Sequence, residues 1–172
     1  MLTSVKAKTF RAGQDGFAIV ASKYNARYVD AMVRAAQIEL RRAGAKKVEI
    51  FRVPGAYEIP VVATRLARLP LQGLGNGRSV SAIICLGVIL RGQTVHAAHI
   101  GEAVSRALME IQLKYELPVI HEVLLLENEA QARARCLSRD HNRGKEAAQT
   151  ALAMAGIMKR LRSRLPAGLH FA

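Results

Sequence analysis

Tryptophan is absent from this chain, and four tyrosines and four phenylalanines are all the aromatic residues its 172 positions hold. Readers of single-stranded nucleic acid need stacking platforms, so a monomeric RNA-binding domain would account for the charge and little else. Cysteine is as scarce. Cys85 lies in an apolar run and Cys136 in an Arg-rich stretch, which matches neither a metal or redox spacing nor the framework of a small secreted scaffold. The cytoplasm is the expected compartment. No apolar run approaches the ~18 residues of a membrane span, and Met1 to Phe10 lacks the apolar centre of a signal peptide. A soluble protein with no membrane partner is expected.

Acidic residues are also few, 13 against 26 basic ones, which leaves a formal charge of +13. That balance calls for an anionic partner: a phosphorylated substrate, nucleic acid or a membrane surface. What is abundant is apolar side chain, at 51% enough for a packed core. The size predicts a single domain across residues 1–172, with an ordered core at about 17–160 between short tails.

Hydrophobic periodicity orders that core. Phe17 to Ala21 reads as a strand buried on both faces, and Asp30 to Arg42 as a helix that stops near Gly44. Lys47 to Val53 alternates like a strand; Pro54-Gly55 then interrupts the chain before a helical stretch from Tyr57 to Arg68. Pro70 to Ser79 reads as a flexible loop, since its Gly73-Leu-Gly-Asn-Gly77 lacks dinucleotide-fingerprint spacing and precedes a strand. Val80 to Leu90 is the longest apolar run, with the β-branched content of a central strand. A helix over Ala97 to Tyr115, a strand over Pro118 to Leu126 and a mostly helical segment from Asn128 to Arg164, broken around Asp140 to Gly144, complete the order. Alternating strands and helices predict a parallel sheet covered on both faces, an α/β class in which ligands bind beyond the carboxyl ends of the strands.

Chemistry-bearing residues gather at that edge. In Gly87-Val-Ile-Leu-Arg-Gly-Gln-Thr-Val-His96 an apolar strand runs into a polar loop that opens a helix. Backbone N–H groups there, with the Thr94 hydroxyl, suit a phosphate, and His96 beside it could move protons at neutral pH. Thr94 and His96 could equally just cap the helix. Glu58, after the Pro54-Gly55 turn, could accept hydrogen bonds from a polyol or merely complement a helix dipole. Tyr24-Asn25 offers a ring for stacking and an amide for hydroxyls, or else forms a plain turn. Among Arg133, Arg135, Arg139, Arg143 and Lys145, one arginine could grip a phosphate while the rest stay solvated. His96 and His99 share a helical face, but no HExxH pattern or cysteine pair accompanies them, so no metal site is predicted.

Three ordered segments, Val53-Pro-Gly-Ala-Tyr-Glu-Ile-Pro60, Leu86-Gly-Val-Ile-Leu-Arg-Gly-Gln-Thr-Val-His96 and Asn142-Arg-Gly144 before an Ala-rich helix, carry a resemblance to the 6,7-dimethyl-8-ribityllumazine synthase family. It runs from about Phe17 to Met158. The resemblance implies a flavodoxin-like three-layer domain with a four-stranded parallel sheet, forming homopentamers with sites between subunits; some members build decamers or icosahedral shells. It implies a transferase of riboflavin biosynthesis that condenses 5-amino-6-(D-ribitylamino)uracil with 3,4-dihydroxy-2-butanone 4-phosphate, with neither metal nor organic cofactor. By position, Tyr24 would stack on the pyrimidine with Asn25 beside it. Ala56, Tyr57 and Glu58 would hold the ribityl chain, and Val88, Ile89 and Leu90 would line the uracil pocket. Gln93, Thr94 and Arg135 would bind phosphate, and His96 would transfer protons. Arg143 stands where the family usually has lysine.

The chain departs from the family pattern at Ala97-Ala98-His99, where an aromatic-Asp-aromatic run is usual, and at His121 and Glu122, usually Phe and a small residue. His121 could still stack in a more polar wall. Leu137 and His141 replace residues that are often glycine, and the loop at 70–79 is longer than in many relatives. An active synthase acting on small-molecule substrates is the expected function. The alternative is a weak or inactive shell-forming relative that holds anionic cargo; nucleic acid is expected as a partner only non-specifically or as encapsulated cargo.

Overall fold

The computed structural model describes residues 11–13, 15–68 and 80–164. The N-terminal stretch through Phe10, the loop at 70–79 and the end of the C-terminal tail lie outside the described residues. Strands β1 (Gly16–Ser22), β2 (Lys47–Val53), β3 (Val80–Leu90) and β4 (Val119–Leu126) alternate with helices α1 (Ala26–Arg42), α2 (Ile59–Arg68) and α3 (His96–Tyr115). A short helix α4 (Glu129–Ala132), a π-helical turn (Arg133–Leu137) and a long helix α5 (Arg143–Arg164) follow.

The four strands lie in the order β2-β1-β3-β4, all parallel. Every residue of β1 is buried, as the unbroken apolar run requires of a central strand. Alternate side chains of the sheet divide into two cores. Phe17, Ile19, Ala21, Ile84, Leu86 and Val88 pack under α1 and α5, while Ala18, Val20, Ile83 and Cys85 pack under α2 and α3. The result is the three-layer, flavodoxin-like α/β arrangement. Chain direction diverges between β1 and β3, the switch point where such sheets open a crevice at their carboxyl edge.

Element ends differ from the sequence reading in specific ways. Helix α1 begins at Ala26 instead of Asp30, because Tyr28 and Val29 are already buried and belong to the same stripe as Met32 and Leu40. Gly44, with φ of 85°, terminates it as expected. Helix α2 begins at Ile59, so Glu58 precedes the helix and does not sit in its first turn. The break before α5 spans Ser138 to Asn142: Asn142, itself buried, accepts from the N–H of Gly144 (2.9 Å) and gives its own amide to the Cys136 carbonyl. On α5, Ala147, Ala148, Ala151 and Ala155 are buried and give the helix a narrow face toward α1 and the sheet.

Candidate active site

At the carboxyl edge, the loops after β1 and β2 are joined by their backbones. The N–H of Lys23 donates to the Val53 carbonyl (2.8 Å), and that of Tyr24 to the Pro54 carbonyl (3.2 Å). Asn25 then adopts a left-handed conformation (φ 55°), which Asn tolerates better than most residues, and its side-chain amide donates to the Val88 carbonyl at the end of β3 (2.8 Å). Asn25 therefore ties the first loop to the third strand. In the second loop, the N–H of Gly55 donates to one Glu58 oxygen (2.8 Å), which fixes the carboxylate without a helix dipole.

These loops enclose a cavity of about 700 Å³. Tyr24, Asn25, Ala56, Tyr57 and Glu58 line one side, Val88, Ile89 and Leu90 its floor, and His96 its far wall. Nine of the residues singled out in the sequence thus share one space. Gln93 and Thr94 do not line it; they lie in the exposed loop that leads into α3. No side chain caps α3, whose N-cap is Val95, so Thr94 and His96 are not serving the helix terminus. Sequence reasoning did not give Gly55, His99, Ile100 or Ala103 a place in the site, although it put His99 on one helical face with His96; all four line the cavity. A usable signal existed for the last three: with His96 they form the 96, 99, 100, 103 spacing of one helical face.

Arg135, Arg143 and His121 lie elsewhere and are not among the cavity's lining residues. His121, on β4, shares a 2.8 Å hydrogen bond through Nε2 with the Ser105 hydroxyl of α3. That hydroxyl also lies 2.7 Å from the Gly101 carbonyl, so Ser105 links the imidazole to the α3 backbone. Arg143 donates to Glu146 (2.7 Å) and stands 4.0 Å from Glu122, while Arg135 is exposed on the π-helical turn. Burial pushes the Glu122 carboxyl up to about 7; Arg143 opposes the shift and Glu146 adds to it. Neither cysteine is in the cavity, and burial raises both thiols, Cys136 to about 11, which leaves them unreactive.

An apolar floor flanked by a fixed carboxylate, two exposed tyrosine rings and an imidazole suits a flat, hydroxyl-bearing ligand whose chemistry needs proton transfer. Fold and cavity together define an α/β protein with a cavity of small-molecule size at its sheet's switch point. A model of the 6,7-dimethyl-8-ribityllumazine synthase family matches residues 15–159. Proteins of that name from Xanthomonas oryzae pv. oryzae (strain PXO99A) and Stenotrophomonas maltophilia (strain R551-3) are 38% and 37% identical to the chain over 147 residues. Each match takes in 84% of this chain and 90% of the relative. The same name, identity of 37% and coverage hold for a protein of Xanthomonas euvesicatoria pv. vesicatoria (strain 85-10). The chain belongs to the 6,7-dimethyl-8-ribityllumazine synthase family, a family of transferases.

Proposed function

We propose that the cavity is where this chain condenses 5-amino-6-(D-ribitylamino)uracil with 3,4-dihydroxy-2-butanone 4-phosphate, releasing phosphate and water. The observation that carries the reading is the convergence of Tyr24, Glu58 and His96 on one apolar-floored space at the switch point. Tyr24, 70% exposed, has a ring face free for a pyrimidine, and Val88 to Leu90 supply an apolar floor. Glu58 keeps carboxylate acceptor capacity for the ribityl hydroxyls beyond its bond to Gly55. Gln93 and Thr94, in the exposed loop that opens α3, would receive the phosphate with the helix's free N–H groups.

The substrate's own amine attacks the ketone, so no protein nucleophile is required. The protein's contribution is register and proton transfer. Holding two reactants together can supply about 7–11 kcal/mol in ideal intramolecular systems, and a positioned imidazole adds to it.

The family pattern gives His121, Arg135 and Arg143 to the same site, yet in one chain they stand apart from the cavity. A homo-oligomer in which a second copy brings them to the cavity mouth, as in a pentamer, accommodates both facts. Exposed apolar side chains on the α2–α3 side, Val61, Met109, Leu113 and Leu125, favour such burial. Among the described residues no helix is long and apolar enough to cross a membrane, and we place the enzyme in the cytoplasm.

The test is direct. Purified protein mixed with both substrates should form the lumazine above the spontaneous rate, followed by its absorbance; a rate equal to the spontaneous one refutes the reading. His96→Ala should slow turnover moderately with little change in KM, because the substrates stay oriented.

A further inference from the structure

Two imidazoles, not one, face the cavity. His99 lies one turn after His96 on α3, at the i, i+3 spacing that sets two side chains side by side, and both line the space enclosed by Glu58 and Tyr24. The other polar groups of the lining have partial commitments: the Asn25 amide is given to the Val88 carbonyl, and a Glu58 oxygen is held by Gly55. Among the described residues no side-chain hydrogen bond holds the imidazole of His96 or His99; the tie of His99 to the Val95 carbonyl runs through its backbone N–H. The titratable groups that share the cavity lining with His99 are His96 beside it on α3 and Tyr24, Tyr57 and Glu58 from the loops after β1 and β2. Glu102, the next carboxylate along α3, is taken by Arg106 (2.8 Å).

We infer that His99 is a second proton carrier for the condensation, working with His96 as an acid–base pair; the inference rests on the reaction proposed above. The chemistry has a step that asks for both at once. After the imine forms, the C–H bond beside the imine carbon breaks and its electron pair becomes a C=C bond. The C–O bond to phosphate breaks in the same elimination, and that pair departs with phosphate, while the proton passes to a neutral imidazole. The product is an enol. To become the ketone it must gain a proton at its terminal carbon and lose one from its hydroxyl, on atoms two bonds apart. A single imidazole must do these in turn with an exchange between them. Two imidazoles a helical turn apart can act together, one returning the proton it took and the other accepting the hydroxyl proton. The ribitylamino nitrogen then adds to the ketone carbon, and ring closure is completed when the oxygen leaves as water. No outside oxidant or reductant enters.

Glutamine keeps the size and helix preference of His99 but cannot carry the proton, and the residue is exposed on the helix, so His99→Gln should fold normally. Its kcat should fall about tenfold with KM within about twofold, and one limb of the kcat against pH profile should flatten. In a His96→Gln background the same change should remove most of the remaining catalysis above the spontaneous rate. Unchanged kcat and pH profile in both backgrounds would overturn the proposal, as would a rise in KM alone, which would make His99 a wall. If His96→Gln is itself without effect, or the unaltered protein makes no product, the underlying site reading fails and takes this one with it. An effect of His96→Gln with none of His99→Gln rejects the pair alone.

Discussion

Glu122 shows how one residue can carry a pH dependence of its own. It is a carboxylic acid of which only 15% of the side chain is exposed, beneath Arg143 and beside the buried Cys136. Because burial lifts its folded value to about 7, the folded chain keeps a proton that the unfolded chain releases near the ordinary carboxylate range. Stability from this group is greatest in acid, declines as pH rises toward 7, and levels off above it. Glu122→Gln removes the charge while keeping the shape. Thermal melts should show the variant gaining on the parent between pH 5 and pH 8, with a ceiling of roughly 3 kcal/mol for a shift of that size. A stability difference that does not vary with pH would mean that Glu122 is ionised throughout.

The same residue marks the limit of reading from sequence. Its departure from the family pattern was visible, but it stands on β4 while its neighbours lie on the π-helical turn and α5, and only tertiary packing brings them to one place. Asn25 was legible as a candidate site residue, whereas its tie to Val88, 63 positions away, was not.

Helices and strands carry their own test at the α1–α5 crossing. Gly144 lies in the first turn of α5, and a Cβ built there would overlap the Met32 backbone carbonyl of α1. A backbone atom cannot turn aside as a side chain can, so α5 would have to lift and open the core beneath its alanines. Gly144→Ala should lower the melting temperature steeply, with a loss of about 3 kcal/mol or more, although alanine is the better helix former. A control at the exposed Thr150→Ala should stay within about 0.5 kcal/mol. At this level the sequence was most informative: β1, β2, β3 and β4 announce themselves by β-branched and alternating runs, and their order prescribes a parallel sheet. Helix starts were harder to place. Helix α1 starts ahead of Asp30 because Tyr28 and Val29 are buried, and the Gly55–Glu58 turn delays α2 by a contact between side chain and backbone that periodicity does not register.

For the molecule as a whole, the proposed assembly makes activity depend on association. Met109 and Leu113, at i, i+4 on α3, are 53% and 70% exposed, and a charge in place of Leu113 should cost the proposed oligomer far more than the fold. Leu113→Lys should elute as a smaller species with an unchanged circular-dichroism spectrum, and its specific activity should fall with the loss of assembly. A smaller species that retains full activity would show that each chain holds a complete site. Part of the basic excess, Lys159, Arg160, Arg162 and Arg164, is exposed along the last turns of α5. Family membership and a formed cavity favour catalysis over the cargo-holding alternative.

The backbone seam between Lys23-Tyr24 and Val53-Pro54 bears on how such an enzyme could be re-engineered. A laboratory that swapped in only the aromatic-bearing turn from a relative would inherit mismatched donors and acceptors along the seam. Both turns must be transplanted as one cassette, so new substrate preferences should arise more readily from paired exchanges than from either half alone.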